Sequence, residues 1–235
     1  MRFHIITIFP EMFDSYLKES IIGRAIKDKK ISIKFFNPRD FIKAPKNNYR
    51  PVDDKPYGGG PGMVMKAEPL LKAVAKALSI AKGKVKIILF SPSGKKFDTN
   101  YAKKLVKQKY ANIILISGRY EGIDARVQKI LKAEEISIGD YVLTGGELPA
   151  MVLIDSISRQ IPGILGKYES LEEERVSTSE VYTRPEVLKW LNRFDKNGRS
   201  ISKANLGKGK NYKVPKVLLS GNHKLIENWK NSKKK

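Results

Sequence analysis

The sequence predicts an α/β fold, with a mostly parallel sheet and helices on both faces. Apolar runs with strand character alternate with helical segments from the first residues to about residue 160. This is the pattern of units that build parallel sheets. The 235 residues, of which 41% are apolar, are enough to bury a substantial core. The length fits one large domain, or one domain with a smaller second one.

The predicted elements follow one another without an internal repeat. Strands are predicted at residues 2–9, 31–36, 84–90, 111–117 and 134–138. Helices are predicted from Pro10 onward and at residues 68–81, 98–107, 124–131 and 147–159, with Asp98 as an N-cap. Residues 38–62 contain five prolines and four glycines, so this segment is predicted to be a loop.

The last part of the chain has a different character. Residues 163–183 are irregular and acidic, which indicates a linker. Two helices are predicted beyond it, at residues 185–194 and 223–230, the second capped by Ser220 or Asn222. Trp190 and Trp229 lie on these predicted helices. They are expected to be residues of the hydrophobic core rather than platforms on which nucleic-acid bases stack.

Charge is the strongest signal in the composition. Lys and Arg number 46 against 24 Asp and Glu, a net charge of +22. Residues 186–235 hold 14 Lys and Arg against 3 Asp and Glu, so half of the excess lies in the last fifth of the chain. Such a field favours a polyanionic partner, nucleic acid first and an anionic membrane second. A lysine-rich, merely soluble surface is the alternative explanation.

Other classes are excluded by composition. The chain has no cysteine, so a disulfide scaffold, a cysteine zinc site and a thiol nucleophile are ruled out. Residues 1–10 read as a buried strand and lack the features of a signal peptide. No apolar run is long enough to cross a membrane. We therefore expect a cytoplasmic protein without a membrane partner.

Four loops could carry chemistry, because each follows or joins a strand near its carboxyl end, where open α/β sheets bind ligands. They are Tyr57-Gly58-Gly59-Gly60-Pro61-Gly62-Met63, Ser91-Pro92-Ser93-Gly94, residues 117–124 and residues 137–147. The first matches neither the dinucleotide fingerprint nor the Walker loop. Taken singly, each loop could be an ordinary turn, and Arg119 with Glu121 could be a surface ion pair of little energetic value.

Together the loops resemble a known family. They occur in order with Phe9-Pro10-Glu11-Met12-Phe13, Tyr182-Thr183-Arg184-Pro185 and Leu218-Leu219-Ser220-Gly221-Asn222-His223. This set of motifs is similar to that of the bacterial tRNA (guanine-37-N1)-methyltransferases of the SPOUT superfamily, where 37 is a tRNA position. The match extends from the first residues to about Trp229.

The resemblance implies a fold and partners. It implies a C-terminal trefoil knot in the α/β domain and a small helical C-terminal domain. We expect a cofactor-binding domain at residues 1–162, a linker at 163–183 and a basic tRNA-binding domain at 184–235. It also implies a homodimer whose active site is shared between subunits, with tRNA as substrate and S-adenosylmethionine as cofactor. Members of the family use magnesium, but the sequence shows no dedicated carboxylate cage, so the metal requirement is open.

The resemblance also assigns residues to the site. The cofactor residues implied are Ser91, Pro92, Gly94, Gly118, Tyr120, Glu121, Gly122, Ser137, Ile138, Gly139, Asp140, Tyr141, Val142, Leu143, Gly145 and Gly146. The substrate residues implied are Gly58, Gly59, Gly60, Met63 and Arg184, although Arg184 could instead pair with the acidic linker.

The reaction needs two more catalytic groups, a general base and a cation. Guanine N1 carries a proton and is a poor nucleophile until a general base removes it, and negative charge then develops at O6. Arg159, which matches the functional arginine of the family, suits O6 because its guanidinium is always charged. The family has an aspartate base where this chain has Glu174, so we expect Glu174 to be the base. Glu172, Glu173 and a merely solvated acidic run remain open.

Three alternatives to this enzyme are open. The changed base and a shortened linker fit a non-catalytic RNA-binding protein that uses a methyltransferase-like scaffold. A methyltransferase for another RNA position is disfavoured by the glycine loop and by Tyr182-Thr183-Arg184-Pro185. A peripheral membrane protein is disfavoured because no basic amphipathic helix is evident. The insertion between Pro185 and Val214 is basic, and either tRNA contact or disorder would suit it.

Overall fold

The computed structural model describes residues 1–43, 50–165, 180–191 and 209–233. The chain divides into two compact units, Met1–Tyr168 and Glu169–Lys235. The first unit contains the sheet and both cores. The linker predicted at residues 163–183 lies largely outside the described residues, so its limits stay a prediction.

The first unit is built on a parallel sheet, as predicted. Its strands are β1 (Arg2–Ile6), β2 (Ser32–Phe36), β5 (Val85–Lys96), β6 (Asn112–Ile116) and β7 (Glu134–Ser137). A two-stranded antiparallel pair, β3 (Asp53–Asp54) and β4 (Val64–Met65), lies apart from it. The order across the large sheet is β2-β1-β6-β5-β7, and all neighbours are parallel. All carboxyl ends of the strands therefore meet at one edge.

Helices cover both faces of this sheet, as predicted. The elements are two 3-10 helices, Pro10–Phe13 and Pro38–Phe41, with α1 (Asp14–Leu17), α2 (Ser20–Lys27), α3 (Ala67–Ile80), α4 (Thr99–Lys107), α5 (Ala125–Leu131) and α6 (Glu147–Arg159). One core packs helices α2, α4 and α6 on one face, and a second packs α3 and α5 on the other. Alternate residues of β6 supply the two cores, because strand side chains point to opposite faces.

Local chemistry accounts for where several helices begin. Asp98 accepts a hydrogen bond from the backbone N–H of Tyr101 at 2.7 Å, as its predicted N-cap role requires. Pro10 opens its 3-10 helix at a position where a missing N–H costs nothing.

His4 is buried in β1, and its Nε2 lies 2.9 Å from the side-chain oxygen of Asn112, so it has a structural role.

One strand departs from a simple run. Strand β5 pairs with β7 as far as Phe90, swings outward through residues 91–94 and resumes pairing at Lys95, opposite the same residue, Ile136. The sequence predicted a strand that ends at residue 90 and a turn after it. The turn is instead a wide irregularity within the strand, and it places Ser91 and Pro92 at the carboxyl edge.

The predictions for two segments were wrong in part. Residues 38–62 are not entirely loop, because Pro38–Phe41 and Asp53–Asp54 form short elements. The helix predicted at residues 185–194 is absent from the described residues there. They form β8 (Val187–Trp190), which pairs antiparallel with β9 (Lys210–Lys213). Val187 and Trp190 are residue types that favour strands, and Leu188 lies directly opposite Tyr212, so strand pairing outweighs the helical pattern on which the prediction relied.

The described residues of the second unit also include two helices. They are α7 (Lys216–Leu219) and α8 (His223–Ser232). Asn222 caps α8 by accepting a hydrogen bond from the backbone N–H of Leu225 at 3.2 Å, which decides between the two predicted caps. Trp190 lies on an exposed strand with 59% of its surface accessible, so its predicted core position was wrong. Trp229 packs against the ring of Tyr182. No helix among the described residues is long and apolar enough to span a membrane.

Candidate active site

A cavity of about 410 Å³ opens at the carboxyl edge of the sheet. Its walls are the outward swing of β5, the loop after β6, and the long loop between β7 and α6. These are three of the four loops that the sequence singled out. Their convergence follows from the parallel topology, because loops after neighbouring parallel strands emerge at the same edge.

Most of the predicted cofactor residues line this cavity. Fourteen of the sixteen do so: Ser91, Pro92, Gly118, Tyr120, Glu121, Gly122, Ser137, Ile138, Gly139, Tyr141, Val142, Leu143, Gly145 and Gly146. Gly94 and Asp140 are the two that do not. Gly94 packs on the backbone of β7, and Asp140 is an exposed partner of Lys96 at 2.6 Å.

Sequence reasoning missed eight residues that also line the cavity. They are Leu89, Phe90, Arg119, Ile123, Glu135, Ile136, Thr144 and Pro149. Leu89, Phe90 and Ile136 are apolar strand residues that read as core, whereas Arg119, Ile123 and Thr144 lie within loops that the sequence had singled out. Glu135 could have been noticed, since it is an acidic residue of the strand that leads into the predicted site.

Glycines permit two close backbone contacts around the cavity. A Cβ on Gly146 would lie 2.6 Å from the Cα of Ser117, where the start of α6 touches the end of β6. A Cβ on Gly94 would lie 2.6 Å from the backbone of Glu135 and Ile136. Both distances are shorter than any side chain tolerates, so glycine is needed for these elements to meet.

Arg119 links two walls of the site, the loop after β6 and the loop between β7 and α6, to the first residue of α6. Its Nε lies 2.9 Å from Oε2 of Glu147, without the alignment of a hydrogen bond. Its guanidinium also donates to the Thr144 carbonyl at 3.2 Å and lies 4.9 Å from the ring centre of Phe9. Glu147 is buried and also accepts a hydrogen bond from Oγ1 of Thr7 at 2.8 Å. The alternative of an Arg119–Glu121 surface pair is therefore wrong.

The glycine-rich loop at residues 57–63 is attached to the same site. The backbone N–H of Glu121 donates to the carbonyl of Met63 at 3.0 Å, and that of Met65 donates to Gly122 at 2.9 Å. Gly62 packs against the side chain of Glu121. Beyond this anchor, Gly58, Gly59 and Gly60 all have positive φ. No atom lies near the place where a Cβ of these three would be.

The predicted catalytic arginine lies elsewhere on the first unit. Arg159 is the last residue of α6, whereas Gly145, Gly146 and Pro149 border the cavity at the start of that helix. A helix of 13 residues is about 18 Å from first to last residue. Arg159 thus lies about 18 Å along α6 from the cavity.

A hydrogen-bonded pair lies beside Arg159. The hydroxyl of Tyr16 donates to Oδ2 of Asp155, one helical turn before Arg159. Burial and then this hydrogen bond raise the pKa of Tyr16 to about 12, so the phenol remains a donor at neutral pH. This hydrogen bond holds the side chain of Asp155. Asp155 lies four residues before Arg159 and therefore on the same face of α6.

The remaining predicted residues belong to the second unit or to the part of the chain that the structure does not describe. Glu174, Glu172 and Glu173 belong to residues 166–179, which the structure does not describe. Arg184 is an exposed residue of the second unit. His223 begins α8. Among the described residues, no group of three or more histidine, aspartate or glutamate side chains could hold a metal ion.

Comparison with known proteins decides the family. A model of the tRNA (guanine-1)-methyltransferase TrmD family matches residues 1–235. The chain belongs to this family. Relatives named tRNA (guanine-N(1)-)-methyltransferase include one from Buchnera aphidicola subsp. Acyrthosiphon pisum, 47% identical over 232 residues, which are 97% of this chain and 87% of the relative. Another, from Pseudoalteromonas atlantica, is 43% identical over 232 residues, which are 97% of this chain and 78% of the relative. A third, from a Marinomonas species, is 45% identical over 98% of this chain and 83% of the relative.

Family membership agrees with the geometry of the first unit. Three of the loops that suggested a methyltransferase surround one cavity, and the glycine loop is hydrogen bonded to its wall. The candidate active site of this family member therefore lies at the carboxyl edge of the parallel sheet.

Proposed function

We propose that this chain transfers a methyl group from S-adenosylmethionine to N1 of guanosine 37 in tRNA. The observation that carries the proposal is the attachment of the glycine loop to the wall of the cavity through Met63 and Glu121. This attachment brings the loop expected to close over guanine beside the pocket expected to hold the cofactor. The names of the relatives, tRNA (guanine-N(1)-)-methyltransferase, support the same reaction.

The cavity suits S-adenosylmethionine in size and charge. Its volume of about 410 Å³ is in the range of cofactor sites. The cofactor supplies a methyl group on a cationic sulfonium, which is already electrophilic and needs no metal or nucleophile to activate it. Glu121 and Glu135 are the two acidic residues among those that line the cavity. Neither forms an ion pair with another described residue, so both are available to a cation.

The loop between β7 and α6 suits the adenosine portion. It presents apolar side chains and a run of backbone groups to the cavity between Ser137 and Gly146. Backbone N–H and C=O groups can recognise an adenine edge without a charged side chain. Glu147 neutralises the charge of Arg119. We therefore assign Arg119 the role of holding the loop in place rather than of contacting the cofactor.

We assign the proton-transfer step to Glu174 and charge stabilisation to Arg159. Glu174 takes the proton from N1, which makes that nitrogen nucleophilic. Arg159 donates to O6, where the negative charge collects, and it stays charged at any working pH. A glutamate has one more methylene than the aspartate of the family pattern. The backbone at Glu174 would therefore have to lie slightly farther from guanine N1 for the carboxylate to meet that atom.

The position of Arg159 supports a site that is shared between two copies of the chain. An extended arginine covers only a fraction of the distance of about 18 Å between the two ends of α6. We therefore propose a homodimer in which Arg159 of one protomer completes the site of its partner. Dimerisation would cover the exposed apolar residues Leu148 and Val152, which share a face of α6 with Arg159, together with Phe9, Met12 and Tyr16.

The remaining parts of the proposal concern tRNA and fold. The basic second unit, with Arg184, binds tRNA, and its strands β8 and β9 add to the helices expected there. The C-terminal part of the first unit forms the trefoil knot that the family resemblance implies. The proposal includes a cytoplasmic location, because the substrate tRNA is made and used there. We assign no magnesium ligand among the described residues.

The test is methyl transfer from labelled S-adenosylmethionine to two tRNA transcripts, one with guanosine at position 37 and one with adenosine. We expect label in the guanosine transcript alone. Glu174→Gln should reduce the rate by two orders of magnitude or more, in the range that general-base catalysis contributes. Glu172→Gln and Glu173→Gln are matched controls that should retain activity. Reactions with and without EDTA report the magnesium requirement.

Two results would count against the proposal. Loss of activity in Glu172→Gln or Glu173→Gln, with Glu174→Gln active, moves the base to a neighbour. An inactive wild type that binds tRNA tightly and shows no stabilisation by S-adenosylmethionine would favour the non-catalytic scaffold. Thermal shift distinguishes these cases, since a ligand that binds only the folded state raises Tm.

A further inference from the structure

A second concave surface lies at the opposite, amino edge of the parallel sheet. This amino-edge groove, of about 630 Å³, is bordered by the starts of β1 and β2, the segments before β5 and β6, and Ile161. Each five-residue strand of the sheet spans about 16 Å, so the groove and the cofactor cavity are separated by roughly that distance. The groove takes no part in the chemistry proposed above.

The charged side chains that line the groove are all cationic. They are Arg2, Lys29, Lys82 and Lys109. None of the four forms an ion pair with another residue in the described ranges. All are exposed, and no Asp or Glu lines the groove. Asp28 is adjacent to Lys29 in sequence but is not part of the lining.

Two of these lysines occupy an unfavourable backbone conformation. Lys29 has φ of +57° just beyond the end of α2, and Lys109 has φ of +53° just beyond the end of α4. Helices often end in this left-handed conformation, but glycine is the usual residue because a Cβ is strained there. The chain thus retains lysine at two groove positions where glycine would fit the backbone better.

Helix dipoles account for only part of this positive charge. The carboxyl ends of α2 and α4 each place about half a negative charge near the groove, which lysine can offset. About one positive charge would therefore offset the dipoles of the two helices, whereas four cationic side chains line the groove. The remaining cations face solvent, where an anionic ligand can reach them.

We propose that the amino-edge groove binds backbone phosphates of tRNA at a place distant from the methylated nucleotide. This inference rests on the proposed tRNA substrate. Exposed lysines on flexible stems act as point charges, which suits a chain of phosphates. A small free anion is usually held instead by buried or backbone donors. A molecule as long as tRNA can reach both edges of a sheet about 16 Å across.

The test uses a matched set of lysine-to-glycine variants. Lys29→Gly with Lys109→Gly removes two groove charges and relieves two strained positions. Lys132→Gly is the control, because Lys132 ends α5 with φ of +48° but does not line the groove. Dissociation constants for full-length tRNA and for an anticodon stem-loop RNA are measured over a series of salt concentrations, without cofactor, together with Tm and methyl transfer.

We expect the double variant to bind full-length tRNA at least tenfold more weakly near 0.1 M salt, with the slope of log K against log salt reduced by about two. Its affinity for the stem-loop should not change, and its Tm should not fall. Lys132→Gly should bind both RNAs like the wild type. Loss of RNA affinity without loss of Tm separates a binding role from misfolding.

Other outcomes would overturn the inference. Equal weakening in Lys132→Gly would show a general effect of charge, and unchanged tRNA affinity in the double variant would leave the lysines as helix caps only. Equal weakening for the stem-loop would contradict a distant contact. Methyl transfer reports separately on the proposed function: an inactive wild type whose tRNA affinity still depends on Lys29 and Lys109 would refute the reaction but not the groove.

Discussion

At the scale of single residues, the buried ion pair of Arg119 and Glu147 holds the candidate site together. It links the loop after β6 to the first residue of α6, and Thr7 adds a hydrogen bond from the end of β1. Only 1% of the Glu147 side chain is exposed. These partners therefore stabilise the buried side chain, because a carboxylate without partners is costly in the protein interior.

Removing either member of this pair should destabilise the protein. We expect Arg119→Leu to lower the free energy of unfolding by about 3 kcal/mol, because Glu147 is left as a buried charge. Glu147→Leu should cost a similar amount. The double variant should cost less than the sum of the two, since neither charge then remains uncompensated. Urea denaturation of the four proteins measures this cycle.

The control for this cycle is an exposed pair of the same type. Arg126 lies 2.5 Å from Asp124 at the surface, and we expect Arg126→Leu to change stability by less than about 1 kcal/mol. If Arg119→Leu were equally mild, the ion pair would not be a structural brace, and Arg119 would be free to act as a ligand.

At the scale of elements, the site depends on how closely α6 and β6 approach each other. Gly146, the N-cap of α6, contacts the backbone of Ser117 at the end of β6. Its φ is −86°, which any residue can adopt, so only the contact requires glycine. The first turn of α6 is thereby fixed against the cavity.

A single methyl group at position 146 should therefore disturb the cofactor site. We expect Gly146→Ala to destabilise the protein by about 1–3 kcal/mol, as overpacking does, and to weaken S-adenosylmethionine binding. Isothermal titration and denaturation measure the two effects. Gly118→Ala is the control for the effect on stability, because its Cβ would lie 3.2 Å from the movable side chain of Ile123 and should be tolerated better. Equal tolerance of both changes would show that the close approach is not required.

At the scale of the whole molecule, the geometry of α6 bears on how many chains form one active site. The cavity borders the start of this helix, and Arg159 is at its end. A complete site in one chain would need these groups together. The homodimer proposed above would bring these groups together, and it would cover the exposed apolar residues on α6.

Mixing two inactive variants tests this arrangement. Gly118→Trp should fill the cavity, and Arg159→Ala should remove the cation. When equal amounts are unfolded and refolded together, we expect about one quarter of wild-type activity, because half of the dimers are mixed and one of their two sites is intact. No recovery, with mixed dimers present by native mass spectrometry, would mean that each site is built from one chain.

Sequence alone determined the α/β class with its mostly parallel sheet. The alternation of apolar runs and helices, and caps such as Asp98, depend on local chemistry that is visible in the chain. The family resemblance, and not a local pattern, singled out fourteen residues that line the cavity, and the parallel strands bring their loops together. The same local signals were wrong for Val187–Trp190, where pairing with a distant strand decides the structure.

Only the tertiary structure decided which groups meet. Arg119 could have paired with Glu121 two residues away, yet it pairs with Glu147 because α6 begins beside the loop after β6. Glu135 and Ile136 became cavity wall because β5 swings outward beside them. Arg159 was separated from the cavity by the length of a straight helix, and four cations from distant segments were gathered at the amino edge. Such contacts between distant segments depend on packing in three dimensions, which the sequence pattern does not encode locally.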